Sequence, residues 1–167
     1  MRTFIENEFN YCPLTWMFHS RTLNNKINKL HERALRVTYN DETSSFEELL
    51  HKDNTFTIHE RNLQKLATLM YKVKNNLSPQ IVCDIFHRQE IPYNLRNGKI
   101  WESGNVRTVI YGTETITYRG PEIWKNVPHS IKELTSLAKF KDAIKCWKPT
   151  GCTCRLCKIF VPCLGFL

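Results

Sequence analysis

Residues 21–39 and 58–75 repeat apolar side chains at helical spacing, and a chain with two such stretches must build much of its core from amphipathic helices. In the first stretch Leu23, Ile27, Leu30, Ala34 and Val37 fall on one face. Lys26, Lys29, Arg33 and Arg36 form a cationic stripe beside it. In the second, Leu63, Leu66, Leu69, Met70 and Val73 form a broad apolar face with Ala67 at its border, and Arg61, Lys65 and Lys72 share a polar stripe. A helix with this pattern can pack its apolar flank on a core and offer charge to a polyanion. The same stripe also serves as an ordinary solvated face.

The boundaries of these helices are written in local chemistry. Thr57 with Glu60, and Ser45 with Glu48, have capping-box spacing, so helices are expected to open at about Ile58 and Phe46. Asn40-Asp41 should stop the first long helix. Ser78-Pro79 should start a short one through Ile81, Val82, Ile85 and Phe86. A further helix is expected over about 136–147, with Leu137, Phe140, Ile144 and Trp147 on one face and Pro149 and Gly151 after it. Between these helices, residues 91–120 lose the helical period. Val106–Tyr111 and Thr115–Tyr118 flank Gly112-Thr-Glu and read as a β-hairpin. The Tyr11–Trp16 lead-in should pack against the helix that follows it, with Cys12 as a buried apolar group.

Hydrophobic residues make up 41% and charged residues 24% of the 167 positions, which is the balance of a globular chain with a core, not a disordered one. No apolar run reaches the roughly 18–20 residues that span a bilayer. The first residues lack a secretory apolar segment, so an intracellular setting is expected, with the seven cysteines as thiols or metal ligands. Net charge is +8, and after Asp142 no acid occurs while Lys145, Lys148, Arg155 and Lys158 follow. An acid-free basic end suits phosphate or solubility alike.

The tail carries the strongest chemical motif. Cys154-x-x-Cys157 has the spacing that lets two thiolates share a metal on one tight turn, and Cys152 and Cys163 can complete a four-cysteine zinc set. Reactive surface thiols and a redox pair remain alternatives. Nothing supports nucleophilic or acid–base catalysis. Cys12 precedes a proline, the histidines are scattered, and the paired carboxylates lie in a turn and on a capped helix. The isolated glycines make no phosphate loop, so a small-molecule ligand is not expected.

The block from Phe9 to Ile27, reading Phe-Asn-Tyr-Cys-Pro-Leu-Thr-Trp-Met-Phe-His-Ser-Arg-Thr-Leu-Asn-Asn-Lys-Ile, resembles a stretch near the end of reverse transcriptases of non-LTR, LINE-like (Jockey-type) retrotransposons. The likeness continues through His31–Arg36, Ser45–Leu50, Tyr93–Arg96, Tyr111–Ile116, Gly120–Trp124 and Cys152–Lys158. It implies a thumb and C-terminal portion. The expected architecture is therefore mainly α: a small helical thumb-like region over 1–88, a hairpin-and-helix extension over 89–148, and an irregular basic cysteine-rich tail over 149–167. In the family the polymerase palm and fingers precede this portion and carry the catalytic aspartates. This chain has no Asp-Asp pair, so no enzyme activity is expected. The resemblance also implies that the thumb helices hold RNA or DNA by its backbone, with the absent palm and fingers as protein partner. Lys26, Lys29, Arg33, Arg36, Arg61, Lys65 and Lys72 are the candidate contacts from helix geometry. The same family ends in the Cys-x-Cys-x-x-Cys pattern, which suggests a small structural or nucleic-acid-binding knuckle.

Overall fold

The computed structural model describes residues 5–86, 101, 106–108, 112–150 and 152–157. Among these the chain is mainly helical: α1 (Ile5–Asn10), α2 (Pro13–Trp16), α3 (Arg21–Tyr39), α4 (Phe46–Lys52), α5 (Ile58–Lys74), α6 (Gln80–Asp84), a 3-10 turn (Gly112–Glu114), α7 (Ile116–Asn126), α8 (His129–Lys132) and α9 (Leu137–Cys146). No sheet occurs among the described residues. Both capping boxes form. Ser45 and Thr57 accept from the backbone N–H of Glu48 and Glu60, and each glutamate accepts from the cap's own N–H. Asn40, in the left-handed conformation that Asn tolerates, ends α3.

Helix α5 is the axis of the molecule, because its apolar face is wide enough to be covered from several sides. Leu63, Leu66, Ala67, Met70, Tyr71 and Val73 are buried, and α7 and α9 pack along them. Tyr71 stacks on Phe140 with ring centroids 4.1 Å apart, and its hydroxyl donates to the Leu134 carbonyl at 2.6 Å. Helix α7 comes close because Gly120 has no side chain. A Cβ there would lie 2.7 Å from Met70 Sδ and 2.9 Å from Phe86 Cε1. The core thus joins Met17 at the end of α2, α5, Phe86, α7 and α9.

Three expectations need correction. The second strand of the hairpin, residues 115–118, is instead the start of α7. Thr115 precedes a helix whose Ile116, Ile123 and Trp124 turn toward α5, and this tertiary burial overrides local β-propensity. Part of the first strand, 109–111, lies outside the described residues. Leu14 of the lead-in, with Met17 and Phe18 just after it, joins the core built on α5, which is the main neighbour of α2 in place of the expected α3. Cys12 is exposed with φ 41°, and its carbonyl accepts from both the N–H and the hydroxyl of Thr15 to open α2.

Helix α3 is rotated relative to its apolar stripe. It buries His31 and Leu35 against α4 and α5, with Leu35, Leu49 and Leu50 forming a second small core beside Phe46. Leu23, Leu30 and Val37, the expected inner face, are 46%, 58% and 78% exposed. The buried face lies roughly one 100° residue step around the helix from the stripe.

Candidate metal centre

The turn after α9 is fixed from several directions at once. Pro149 is buried and ends the helical run, and the chain folds back so that Cys157 N–H donates to the Cys154 carbonyl at 3.1 Å. Gln64 of α5 donates through Nε2 to the carbonyls of Lys145 (3.3 Å) and Trp147 (2.8 Å), closing the open C-terminal end of α9. Farther along, Glu114 accepts from Arg119 at 2.7 Å and from the Arg155 N–H at 3.2 Å. Arg119, itself buried, also donates to Thr153 Oγ1 at 3.0 Å. The tail is therefore bound to α5 and to the start of α7.

That path brings Cys152, Cys154 and Cys157 to His59, which sits at the first turn of α5 just after its Thr57 cap. The three sulfurs and a ring nitrogen lie within 4.8 Å of one another. His59 Nε2 is 3.3 Å from Cys154 Sγ and 3.2 Å from Cys157 Sγ. His59 and Cys154 are buried, and Cys152 and Cys157 are half-buried. Contacts from the thiols of Cys152 and Cys157, and then from His59, hold the Cys154 thiol far below its ordinary range. The reciprocal contacts push Cys152 up to about 11 and Cys157 well above its usual value, because three sulfurs this close cannot all ionise beside one another. A divalent cation removes that conflict. These four residues can hold a metal ion such as zinc.

Three residues of the predicted ligand set, Cys152, Cys154 and Cys157, come together, Cys163 lies outside the described residues, and His59 stands beside the three as a fourth possible donor. The signal for His59 was its position four residues before Leu63 and seven before Leu66, on the apolar face of α5. A histidine on a core-facing stripe needs a polar partner, but that partner lies more than ninety residues away in sequence.

The predicted cationic residues separate into two places. Arg61, Lys65 and Lys72 line a groove of about 470 Å³ between α2, α5 and α9, together with Lys141 and Lys145, which periodicity did not single out. Leu14, Leu69 and Ile144 supply its apolar floor. Lys65 Nζ donates to Asn10 Oδ1 at 2.6 Å on its rim. Lys26, Lys29 and Arg33 are exposed on α3 and are not among the groove's lining residues. Arg36 is engaged at the end of α3, donating to Glu32 at 2.7 Å and to the carbonyl of Asp41, just past the helix, at 3.3 Å. No helix among the described residues is long and apolar enough to cross a membrane.

Comparison of the chain with models of known protein families, with curated proteins and with solved structures finds no match to any of them.

Proposed function

We propose that this chain is a catalytically incomplete C-terminal portion of a retrotransposon reverse transcriptase that binds RNA or DNA through its backbone, without reading sequence. The observation that carries this reading is the groove, where α5 contributes Arg61, Lys65 and Lys72 and α9 contributes Lys141 and Lys145 around an apolar floor. Side-chain cations neutralise phosphates and release condensed counterions. A metal ion at the cysteine–histidine quartet would have a structural task here, fastening the segment after α9 to α5, the other wall of the groove.

Salt dependence of binding to a duplex of arbitrary sequence tests the proposal. Five phosphate contacts give a log–log slope of roughly −4.5, and Lys141→Ala with Lys145→Ala should reduce its steepness by about two. Binding that ignores salt, or that survives Arg61→Ala, Lys65→Ala and Lys72→Ala together, would overturn it.

A second reading, a remnant that binds a protein, is favoured by the exposed Leu23, Leu30 and Val37 stripe of α3, which has the cationic Lys26, Lys29 and Arg33 at its side. A polymerase palm-and-fingers fragment is the partner this reading names. Leu30→Glu with Val37→Glu should abolish capture of such a fragment and leave duplex binding intact. If capture survives, this second reading fails.

A further inference from the structure

The geometry points to a single tetrahedral zinc site made of three thiolates and one imidazole, Cys152, Cys154, Cys157 and His59 Nε2, which joins the tail to helix α5 instead of forming a self-contained knuckle. Three features support it independently of any role in nucleic-acid binding.

The first is the donor set. Sulfur and imidazole nitrogen are the ligands zinc takes in closed structural sites, and a fourth protein ligand leaves no open position for catalysis. The second is spacing. With zinc–sulfur bonds of about 2.3 Å and zinc–nitrogen bonds of about 2.0–2.1 Å, the edges of a tetrahedron are roughly 3.4–3.8 Å. His59 Nε2 already stands 3.3 and 3.2 Å from two sulfurs, and every pair of donors is within 4.8 Å. Shifts of about an ångström or less, outward for His59 and inward for any wider pair, bring the four donors onto these edges. The third is support. Thr153 and Arg155, which alternate with the cysteines, are tied to Arg119 and Glu114, so the tail is held in place by groups that are not themselves ligands. His59 is held by α5 and its capping box.

Binding is balanced in protons and charge. Each cysteine that enters as a thiol gives its proton to water or buffer on forming its zinc–sulfur bond. His59 binds as the neutral ring through Nε2, with its proton on Nδ1. The site then carries one net negative charge, from Zn²⁺ and three thiolates. No oxidant or reductant takes part.

The test uses the full chain, purified with reductant and titrated with zinc and, separately, with cobalt(II) as a spectroscopic substitute. One equivalent of zinc per chain is expected, with tetrahedral d–d bands for the cobalt form. Its thiolate-to-cobalt charge transfer should fall by about a third in Cys152→Ser, as one of three sulfurs is lost. His59→Gln should weaken zinc binding at least tenfold, while Cys163→Ser should leave stoichiometry and spectrum unchanged. Trypsin reports the join itself: zinc should slow cleavage after Arg155 at least about tenfold relative to chelated protein, since a ligand that binds only the closed form suppresses opening.

Less than half an equivalent of zinc would overturn the inference. So would a site lost in Cys163→Ser and kept in His59→Gln, which would make the ligands four cysteines. A Cys152–Cys157 disulfide in metal-free protein purified without oxidant would overturn it too. Because the wild-type titration and the Cys163→Ser control need no variant that disturbs the core, poor folding of His59→Gln does not shield the inference. Duplex binding is not among these readouts, so failure of the backbone-binding reading leaves the result interpretable.

Discussion

His31 shows what a single buried residue can do to this molecule. It is fully buried between the rings of Phe9 and Phe46, at 6.4 and 5.6 Å, and neither ring nitrogen has a hydrogen-bond partner among the described residues. Burial, and then the nearby Arg61 charge, lower its pKa from 6.5 to about 4, against a smaller opposing effect of Asp53. The native state therefore favours the neutral ring. Above pH 6.5 both folded and unfolded chains hold it neutral, and its contribution to stability is complete. As pH falls from 6.5 through about 4 the unfolded chain takes up a proton that the folded one resists, so stability is lost in that window. The full loss is of order 3 kcal/mol, because each tenfold difference in proton affinity between the two states is worth about 1.4 kcal/mol. Urea denaturation at pH 7 and pH 4.5 should show this slope, and His31→Leu should flatten it. An unchanged slope in the variant would assign the pH dependence to other groups. Its place on the wheel, close to Ala34 and Leu35, was visible in the sequence. Which way the helix would turn was not, because that is decided by α4 and α5.

At the scale of elements, the starts of helices were the most legible part of the fold. Ser45–Glu48 and Thr57–Glu60 are local devices, each satisfied within four residues, and both form as their spacing requires. The burial side of a helix is different, because a wheel shows where apolar groups cluster but not what will cover them. Helix α5 has apolar or small residues around most of its circumference, so its burial was readable. Helix α3 has a narrow stripe, and the structure turns Leu35 inward and leaves Leu30 and Val37 in solvent. Unequal sensitivity to substitution follows. Leu35→Ala should cost about 2–5 kcal/mol, since it removes a fully buried side chain from a small core with little to refill the space. Leu30→Gln or Val37→Gln should stay within about 0.5 kcal/mol, as exposed positions do. Equal costs at Leu35 and Leu30 in chemical denaturation would mean that the stripe is covered in solution. The hairpin expected near residue 112 failed for a related reason. Val, Ile, Thr and Tyr favour strands only when a sheet receives them, and here residues 116–124 meet α5 instead.

Across the whole molecule, the tail's metal-ligand spacing was legible, while what fastens the tail was not. Cys154-x-x-Cys157 is a local pattern. Its partner His59, and the Glu114–Arg119 pair that holds Thr153 and Arg155, come together only once the chain has closed on itself. Sequence distance hides such contacts, because any of several histidines or arginines would have served. The pair itself decides how the closure responds to mutation. Its side chains are 5% and 12% exposed, so both charges have given up most of their water and depend on each other. Glu114→Ala would leave the Arg119 guanidinium buried without its carboxylate and free the Arg155 N–H. We expect a loss of about 3–5 kcal/mol, the usual result of removing one partner of a buried pair. Adding Arg119→Met should restore most of it, because the apolar stem replaces a charge that no longer has to be desolvated. The double-mutant cycle, measured by urea unfolding under reducing conditions, would then give a coupling energy close to the sum of the two single-mutant losses, since Arg119→Met alone strands the Glu114 carboxylate in the same way. Additive effects of the two substitutions would show that Glu114 and Arg119 hold the tail separately, through Arg155 and Thr153, and not as a pair.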